Sequence, residues 1–458
     1  MQLIHTLQQQ LSALALRPEQ GLVLAYSGGV DSHVLLHLMC ALRDAGDINN
    51  PLSAIHIHHG LSQHADDWLR HCQQVCLDLA LPFSAAKVTL AQGTGESLEA
   101  LARTARYTKL YELAPVNSVI LLAQHQDDQL ETFLLQLKRG AGPKGLAAMA
   151  SYSSKTLPGT DKVVHLARPL LSVSQHQIVA YATQHKLDWV EDESNQNTNF
   201  ERNFLRHQIL PSLVHKWPEI AKTVSRSAAL CAEQQSLLEE VSKQKLQEIR
   251  RSNTTLSLAA LKQVSEGWLV QIVRQWLHEL EIQSPSQAIL QKIKHEVIDA
   301  KADANPILQW GNWQLRRFAD ELHLVPLTSD ILPHTLVWQE QNHLSLPSPL
   351  GALVSTRHAY AQSSDCHLLI APDLGEIKLQ FGGYSQRFTP QGSQHSKPLK
   401  QWYKEWQIPP WQRDKIALVK QNDVPQALLI EGKWRLSHKA LTESLTHSVI
   451  ALHYKSHS

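Results

Sequence analysis

Cysteine is scarce in this chain: Cys40, Cys72, Cys76, Cys231 and Cys366 are scattered over 458 residues. An odd, dispersed set excludes a disulfide framework and fits a reducing compartment. Long apolar runs are missing as well, and the opening Met1-Gln2-Leu3-Ile4-His5 carries no signal-peptide pattern. The expectation is a cytoplasmic protein with no membrane contact. Charge of one sign is absent too: the net charge is +1, so no global field announces a nucleic-acid partner, which a local patch would have to meet. Repeats and low-complexity tracts are absent. The 26 histidines are many, but His33, His37, His176 and His185 fall on apparent helices without ligand-like grouping, so packing or solvation explains them better than metal binding. A hydrophobic content of 43% is that of an ordinary globular protein. The length implies roughly two to four domains.

Up to about residue 215, apolar runs alternate with amphipathic segments. Leu22–Tyr26, Leu52–Ile57, Phe83–Val88 and Ser118–Ala123 read as strands; His33–Met39, Ala65–Leu79, Ser97–Leu113 and Asp128–Lys138 read as helices. Such alternation predicts a parallel, doubly wound sheet whose ligands sit at the carboxyl ends of its strands. Beyond Pro211 the pattern becomes helical, including Ser227–Ile249 and Glu266–Leu280. From Pro306 it turns to short β-like pieces, with Trp310-Gly311-Asn312-Trp313 at a hairpin. The predicted division is 1–215, an α/β domain; 216–362, largely helical; and 363–458, a small α+β domain.

The strongest local signal is Ser27-Gly28-Gly29-Val30-Asp31-Ser32, set between a buried strand and a helix. A Gly-Gly turn at a helix start gathers backbone N–H groups at the positive end of a dipole, which suits a phosphate. Ser27 and Ser32 can add hydroxyl donors. No lysine closes the loop, so it is not the loop of kinases and GTPases. After the second strand, His56-Ile57-His58-His59-Gly60 can contact a nucleotide or form a polar turn. Arg103 and Arg106 share a helix face and can clamp a phosphate; equally, Glu99 can pair with Arg103 on a solvated face. Asp128 and Glu131 stand one helical turn apart just after a buried strand, suited to holding magnesium or deprotonating an amine, with Asp127 expected as the N-cap. Arg168-Pro169-Leu170, Asp192–Asn195 and Glu201–Arg206 supply further arginines and asparagines, which can meet phosphate, ribose or base, or simply cap helices.

In order, these motifs resemble the tRNA(Ile)-lysidine synthetase family of the ATP pyrophosphatase-loop enzymes. The resemblance rests on the Ser27–Ser32 loop, His56-x-x-His59-Gly60-Leu61, Ala102-Arg103-x-x-Arg106-Tyr107, His125-x-x-Asp128-x-x-Glu131-Thr132, Arg139-Gly140-x-Gly142-x-x-Gly145-Leu146, Arg168-Pro169-Leu170, and Asp192-x-Ser194-Asn195 with Arg202-Asn203. It implies an ATP pyrophosphatase-type sheet domain that uses ATP and Mg2+. ATP adenylates C2 of the wobble cytidine in a tRNA(Ile) with a CAU anticodon, and free L-lysine then displaces AMP; no partner protein is required. The implied catalytic set is Asp31, Asp128, Glu131, Arg103 and Arg206, with Asp31 and Asp128 toward the metal. Ser27, Gly28, Gly29, Val30, Asp31, Ser32 and His59 face the nucleotide, and Arg202 faces the RNA. The runner-up is tRNA thiolation or another ligase on the same loop. Thiolation wants paired cysteines, and Cys72 and Cys76 at i,i+4 read better as packed helix residues.

The end of the chain also fits, through Ser396–Lys400 and Ile408–Asp414. Between residues 376 and 420 eight Lys and Arg stand against three acids. Lys397, Lys400 and Arg413 are the expected RNA contacts, with Trp402, Tyr403, Trp406 and Trp411 available for stacking or for a small core.

Overall fold

The computed structural model describes the chain apart from residues 1, 15, 59–63, 89–97, 158–159, 161, 302–303, 330, 339–342, 357–366, 371–374, 441–449 and 456–458. It forms two compact units, Met1–Glu240 and Val241–Ser458.

The first unit runs α1 (Gln2–Ala13), β1 (Leu22–Ala25), α2 (Val30–Asp44), β2 (Leu52–His58), α3 (Ala65–Asp78), β3 (Phe83–Lys87), α4 (Leu98–Leu113), β4 (Val119–Leu121), α5 (Gln126–Lys138), α6 (Pro143–Leu146), β5 (Tyr152–Thr156), β6 (Val163–Ala167) and α7 (Gln175–Gln184). A short 3-10 turn (Glu193–Gln196), α8 (Glu201–Phe204), a π-helical turn (Leu205–Ile209) and α9 (Leu210–Lys216) follow, then α10 (Ile220–Ile249), which crosses into the second unit. The sheet order is β3-β2-β1-β4-β6-β5, parallel except for β5, which pairs antiparallel with β6 at the edge. The expected doubly wound sheet is present.

Alternation within the strands builds a core on each face. Leu22, Leu24, Val119 and Leu121 join α1, α2, α3 and α7 on one side, with Cys72 and Cys76 packed among them. Val23, Ile120 and Leu122 meet Leu110 of α4 on the other. Burying both faces is why the central strands read as continuous apolar runs. Because β1 hands on to β2 in one direction and β4 lies on its other side, the strand order reverses between β1 and β4. That switch point is where such sheets open a crevice for ligand.

The second unit continues through β7 (Arg250–Ser252), β8 (Thr255–Ser257), α11 (Leu258–Lys262), α12 (Glu266–Glu279), α13 (Gln287–Lys292), β9 (Ile307–Trp310), β10 (Trp313–Phe318) and β11 (Glu321–Pro326). The region expected to be largely helical therefore also carries a five-stranded antiparallel sheet, β7-β8-β11-β10-β9, packed on helices around Trp276. The predicted hairpin at Gly311-Asn312 joins β9 to β10. Next come β12 (Thr335–Trp338), β13 (His343–Ser345), β14 (Ala352–Thr356), β15 (His367–Ile370), β16 (Ile377–Gln380), β17 (Arg387–Phe388), β18 (Lys397–Pro398), α14 (Leu399–Glu405), α15 (Pro410–Arg413), β19 (Ala417–Gln421), β20 (Val424–Ile430), β21 (Lys433–Leu436) and β22 (Ile450–Lys455). β12 pairs with β16 and β14 with β22, so residues from Thr335 onward fold with the C-terminal sheets, ahead of the expected boundary at 362/363. Among the described residues no helix is long and apolar enough to cross a membrane.

Candidate active site

The loop between β1 and α2 is braced from within. The Ser32 hydroxyl donates to the Gly29 carbonyl at 3.0 Å, accepts from the Ser27 N–H at 3.2 Å and lies 3.0 Å from the Ser27 hydroxyl. Ser32 is buried and holds the turn closed, whereas Ser27 is exposed. Gly28 has φ +90°, and a Cβ there would stand 2.7 Å from a Val190 methyl and 2.9 Å from the Cys72 sulfur. Only glycine fits. Its carbonyl accepts from the Val190 N–H at 3.0 Å, tying the loop to the segment after α7. No side chain caps α2 at Gly29, so its first-turn N–H groups face outward at the positive end of a 15-residue helix. Val30 is half-buried against the core. Asp31 lies in this first turn.

Across the switch point, β4 delivers His125 to the start of α5. His125, not Asp127, is the N-cap residue: its backbone N–H donates to Asp128 Oδ2 at 3.0 Å. Asp127 instead accepts from the Gln175 N–H at 2.8 Å, pinning α7 to α5. The His125 ring is 1% exposed and stands among three carboxylates, 3.7 Å from Asp31, 3.6 Å from Asp127 and 3.4 Å from Asp128. Burial alone would strip its proton; the pull of the nearby Asp127, Asp31 and Asp128 carboxylates outweighs this and holds its pKa up to about 10. A buried imidazolium thus joins Asp31, from one strand end, to Asp128, from the next. Sequence reasoning placed His125 in a motif but not in the site; its position three residues before Asp128, straight after a buried strand, was the available signal.

Glu131 is 1% exposed and is held by two arginines. Arg202 Nε donates to its Oε2 at 2.5 Å, and Arg206 donates through Nε to Oε1 at 2.7 Å and through Nη2 to Oε2 at 3.0 Å. Arg202 also reaches Asp128 Oδ1 at 3.0 Å. Burial would lower both guanidinium pKa values, but Asp128 and Glu131 raise them instead. The two arginines come from α8 and the π-helical turn that continues it, four residues apart, and so reach one carboxylate from the same face. Arg202, expected on RNA, is therefore committed to this network.

Of the remaining expected residues, Arg103 is exposed with its guanidinium 5.1 Å from the Tyr107 ring centre, and Arg106 flanks the same ring at 5.9 Å. Among the described residues Arg103 is not drawn into the carboxylate network. His59 lies outside the described residues. Arg168 donates to Gln124 at 2.5 Å and to the Ala150 carbonyl at 2.8 Å, bracing the sheet edge next to His125.

In the second unit, Lys400 is exposed, Lys397 pairs with Glu405 at 2.6 Å, and Arg413 donates to the Ile408 carbonyl at 3.0 Å. Trp402 and Tyr403 are buried in a small core, with Trp406 stacked on Trp402 at 5.2 Å. Those aromatics are core, not a stacking platform.

Matches to known proteins span the chain. The PP-loop domain family matches residues 3–213, the TilS substrate binding domain 256–323, and the TilS substrate C-terminal domain 377–439. The tRNA(Ile)-lysidine synthase of Serratia proteamaculans (strain 568) is 40% identical over 423 residues, covering 92% of each chain. That of Vibrio cholerae serotype O1 (Classical Ogawa 395) is 42% identical over 416 residues, covering 91% of each. That of Proteus mirabilis (strain HI4320) is 37% identical over 402 residues, 88% of this chain and 89% of its own.

Proposed function

The chain belongs to the tRNA(Ile)-lysidine synthase family, and from that premise we propose how its own residues divide the work. The enzyme joins the ε-amine of L-lysine to C2 of the wobble cytidine of tRNA(Ile) bearing a CAU anticodon. ATP is split to AMP and pyrophosphate, and the resulting lysidine shifts codon reading from AUG to AUA. Adenylation turns a poor leaving oxygen into a good one, which a neutral amine can displace.

The observation that carries the assignment of roles is the meeting of Asp31 and Asp128 around the His125 ring, at 3.7 and 3.4 Å, beside the phosphate-binding loop. The Gly28-Gly29 backbone and the first turn of α2 receive the phosphates. Asp31 Oδ1 is buried and has no hydrogen-bond partner, a free hard-oxygen ligand that fits magnesium. Both oxygens of Asp128 already accept hydrogen bonds. Among the described residues no group of three or more His, Cys, Asp or Glu is arranged to hold an ion alone, as suits one shared with nucleotide oxygens. Asp31 is then the principal protein ligand and Asp128 a secondary one; the ion would offset phosphate charge.

A lysine amine has an ordinary pKa of about 10.4 and is protonated at neutral pH. The Asp31–Asp128 side of the cluster attracts and orients that ammonium and takes up its proton. Glu131, with both oxygens occupied, keeps Arg202 and Arg206 in place; their partly exposed guanidinium edges steady developing phosphate charge. Lys400 and its neighbours on α14 meet tRNA phosphates. Incubation with ATP, labelled lysine and tRNA(Ile) is expected to put lysine on the RNA and to release AMP. Label that stays off the RNA, or ADP as product, overturns the reading.

A further inference from the structure

The segment Ile408–Asp414, which resembles part of an RNA-binding domain and holds the expected RNA contact Arg413, turns inward together with Lys415. The Trp411 ring packs edge-on against two side chains of the β10–β11 hairpin, His323 at 5.2 Å and Phe318 at 6.1 Å between ring centres. The Arg316 guanidinium lies 5.3 Å from the Trp411 ring centre. Three residues on, Asp414 Oδ2 accepts from the Ile331 N–H at 3.2 Å, and Lys415 Nζ donates to the Thr328 hydroxyl at 2.9 Å. Ile331 and Thr328 belong to the crossing between β11 and β12, where the chain leaves one sheet for the next. On the other side Gln412 donates to Glu431, in the turn between β20 and β21, at 2.6 Å. A single short stretch thus touches the β10–β11 sheet, the connecting chain and the C-terminal sheets.

We propose that Trp411 and Asp414 are positioning residues for tRNA: they lock the β7–β11 module and the C-terminal sheet module of the second unit at one angle, so that both present their surfaces to the same RNA. The proposal rests on tRNA being the substrate. Two contact surfaces joined at a fixed, matching separation bind as one. Each raises the effective concentration of the other, and a loose joint forfeits that gain without removing any contact.

The test measures lysine incorporation in the full-length enzyme across tRNA concentrations. Trp411→Ala is expected to raise the KM for tRNA about tenfold, leaving the KM for ATP and lysine, and kcat at saturating tRNA, near the parent values. Trp411→Phe, which keeps a ring against His323 and Phe318, is expected to recover most of the loss. Asp414→Ala separates a joint from a direct contact. Removing an acid strengthens RNA binding if only charge matters, whereas the joint predicts weaker binding. Thermal melting checks that each variant is folded, and faster limited proteolysis between residues 327 and 332 reports the loosened crossing. The idea is overturned if both alanine variants keep the parent tRNA KM, or if Asp414→Ala tightens binding while Trp411→Phe is as impaired as Trp411→Ala. Failure of the family reading is distinguishable, because the parent enzyme itself would then place no lysine on tRNA.

Discussion

Arg206 grips Glu131 through two nitrogens at once, Nε at 2.7 Å from Oε1 and Nη2 at 3.0 Å from Oε2. A paired fork of this kind fixes direction as well as distance. Arg202 donates to Oε2 of the same carboxylate, which thus accepts from both arginines. The acid lies at the core edge of α5 and the arginines at the rim, so Glu131 acts as a fixed post to which two mobile side chains are tied.

Replacing Glu131 with glutamine keeps the volume but removes the charge between the two guanidinium groups. Arg202 and Arg206 are 21% and 32% exposed, so water softens the penalty; the expected loss is roughly 2–3 kcal/mol. Activity should fall about a hundredfold, since misplaced side chains cost that much without touching the chemistry. Urea unfolding together with steady-state kinetics checks both. A variant as active as the parent would remove Glu131 from the positioning role.

Asp31→Asn is expected to behave differently. Asp31 is a third exposed and anchors no backbone group, so the fold should keep its melting temperature within a few degrees. Lysine transfer and AMP formation should both vanish, because the amide removes the charge and one carboxylate oxygen from the side chain that the proposed mechanism gives to magnesium, whose Oδ1 is buried without a hydrogen-bond partner. AMP release that survives while lysine transfer stops would move Asp31 from the nucleotide to the amine alone.

Gly28 combines φ +90° with a Cβ site only 2.7 Å from Val190 and 2.9 Å from Cys72. Gly28→Ala is therefore expected to shift the loop, costing about 1–3 kcal/mol and raising the KM for ATP more than that for tRNA. Gly46, with nothing within 4 Å of its Cβ site, serves as the comparison: Gly46→Ala shares the positive-φ strain without the clash and should leave the ATP KM alone. Equal effects on the ATP KM would deny the loop its special geometry.

These contrasts show what the sequence carried and what it did not. β1 and β4 were legible because both of their faces are buried, so every position is apolar. β5 was not, because Tyr152–Thr156 is a polar, largely exposed edge strand whose only claim to sheet structure is its pairing with β6. Asp128 and Glu131 could be placed on one helix face from their spacing, but Arg202 and Arg206 lie 71 and 75 residues downstream of Glu131, and no local pattern reveals that closure. At the helix start, adjacent residues competed: an Asp is a good N-cap by type, yet the chain puts His125 there and spends Asp127 on α7. For Trp402 and Tyr403, composition cannot separate a stacking face from a core; only packing does.

His323 gives a pH dependence whose sign can be worked out. Burial lowers its pKa from the ordinary 6.5, with Glu321 at 3.5 Å partly opposing; Arg316 faces it across the strand pair and Trp411 covers it. The folded protein therefore holds the ring neutral where the unfolded chain would protonate it. That contribution to stability is fully present above about pH 6.5 and is lost as pH falls toward the lowered value. His323→Phe cannot titrate, so the difference in urea midpoint between parent and variant should be constant above pH 6.5 and shift in favour of the variant below it. A difference that stays flat down to pH 5 would mean the ring is not held neutral.

Lys400 on α14 and Lys397 on the adjoining strand β18 offer a controlled comparison for the RNA surface. Lys400 is exposed, whereas Lys397 pairs with Glu405 at 2.6 Å and lies 4.6 Å from the Trp402 ring centre. A lysine that neutralises a phosphate releases a counterion, so its loss weakens binding and flattens the dependence of log K on log salt by about one unit. Lys400→Ala is expected to show that full change. Lys397→Ala should show less, because its charge is already half-spent on Glu405, and Glu405→Gln should restore affinity by freeing it. Arg413→Ala belongs to neither class: its guanidinium supports the Ile408 carbonyl, so it should weaken tRNA binding through the Trp411 joint with the salt slope unchanged. If Lys400→Ala binds tRNA with the parent's slope at every salt concentration, the exposed face of α14 is solvated and the RNA lies elsewhere.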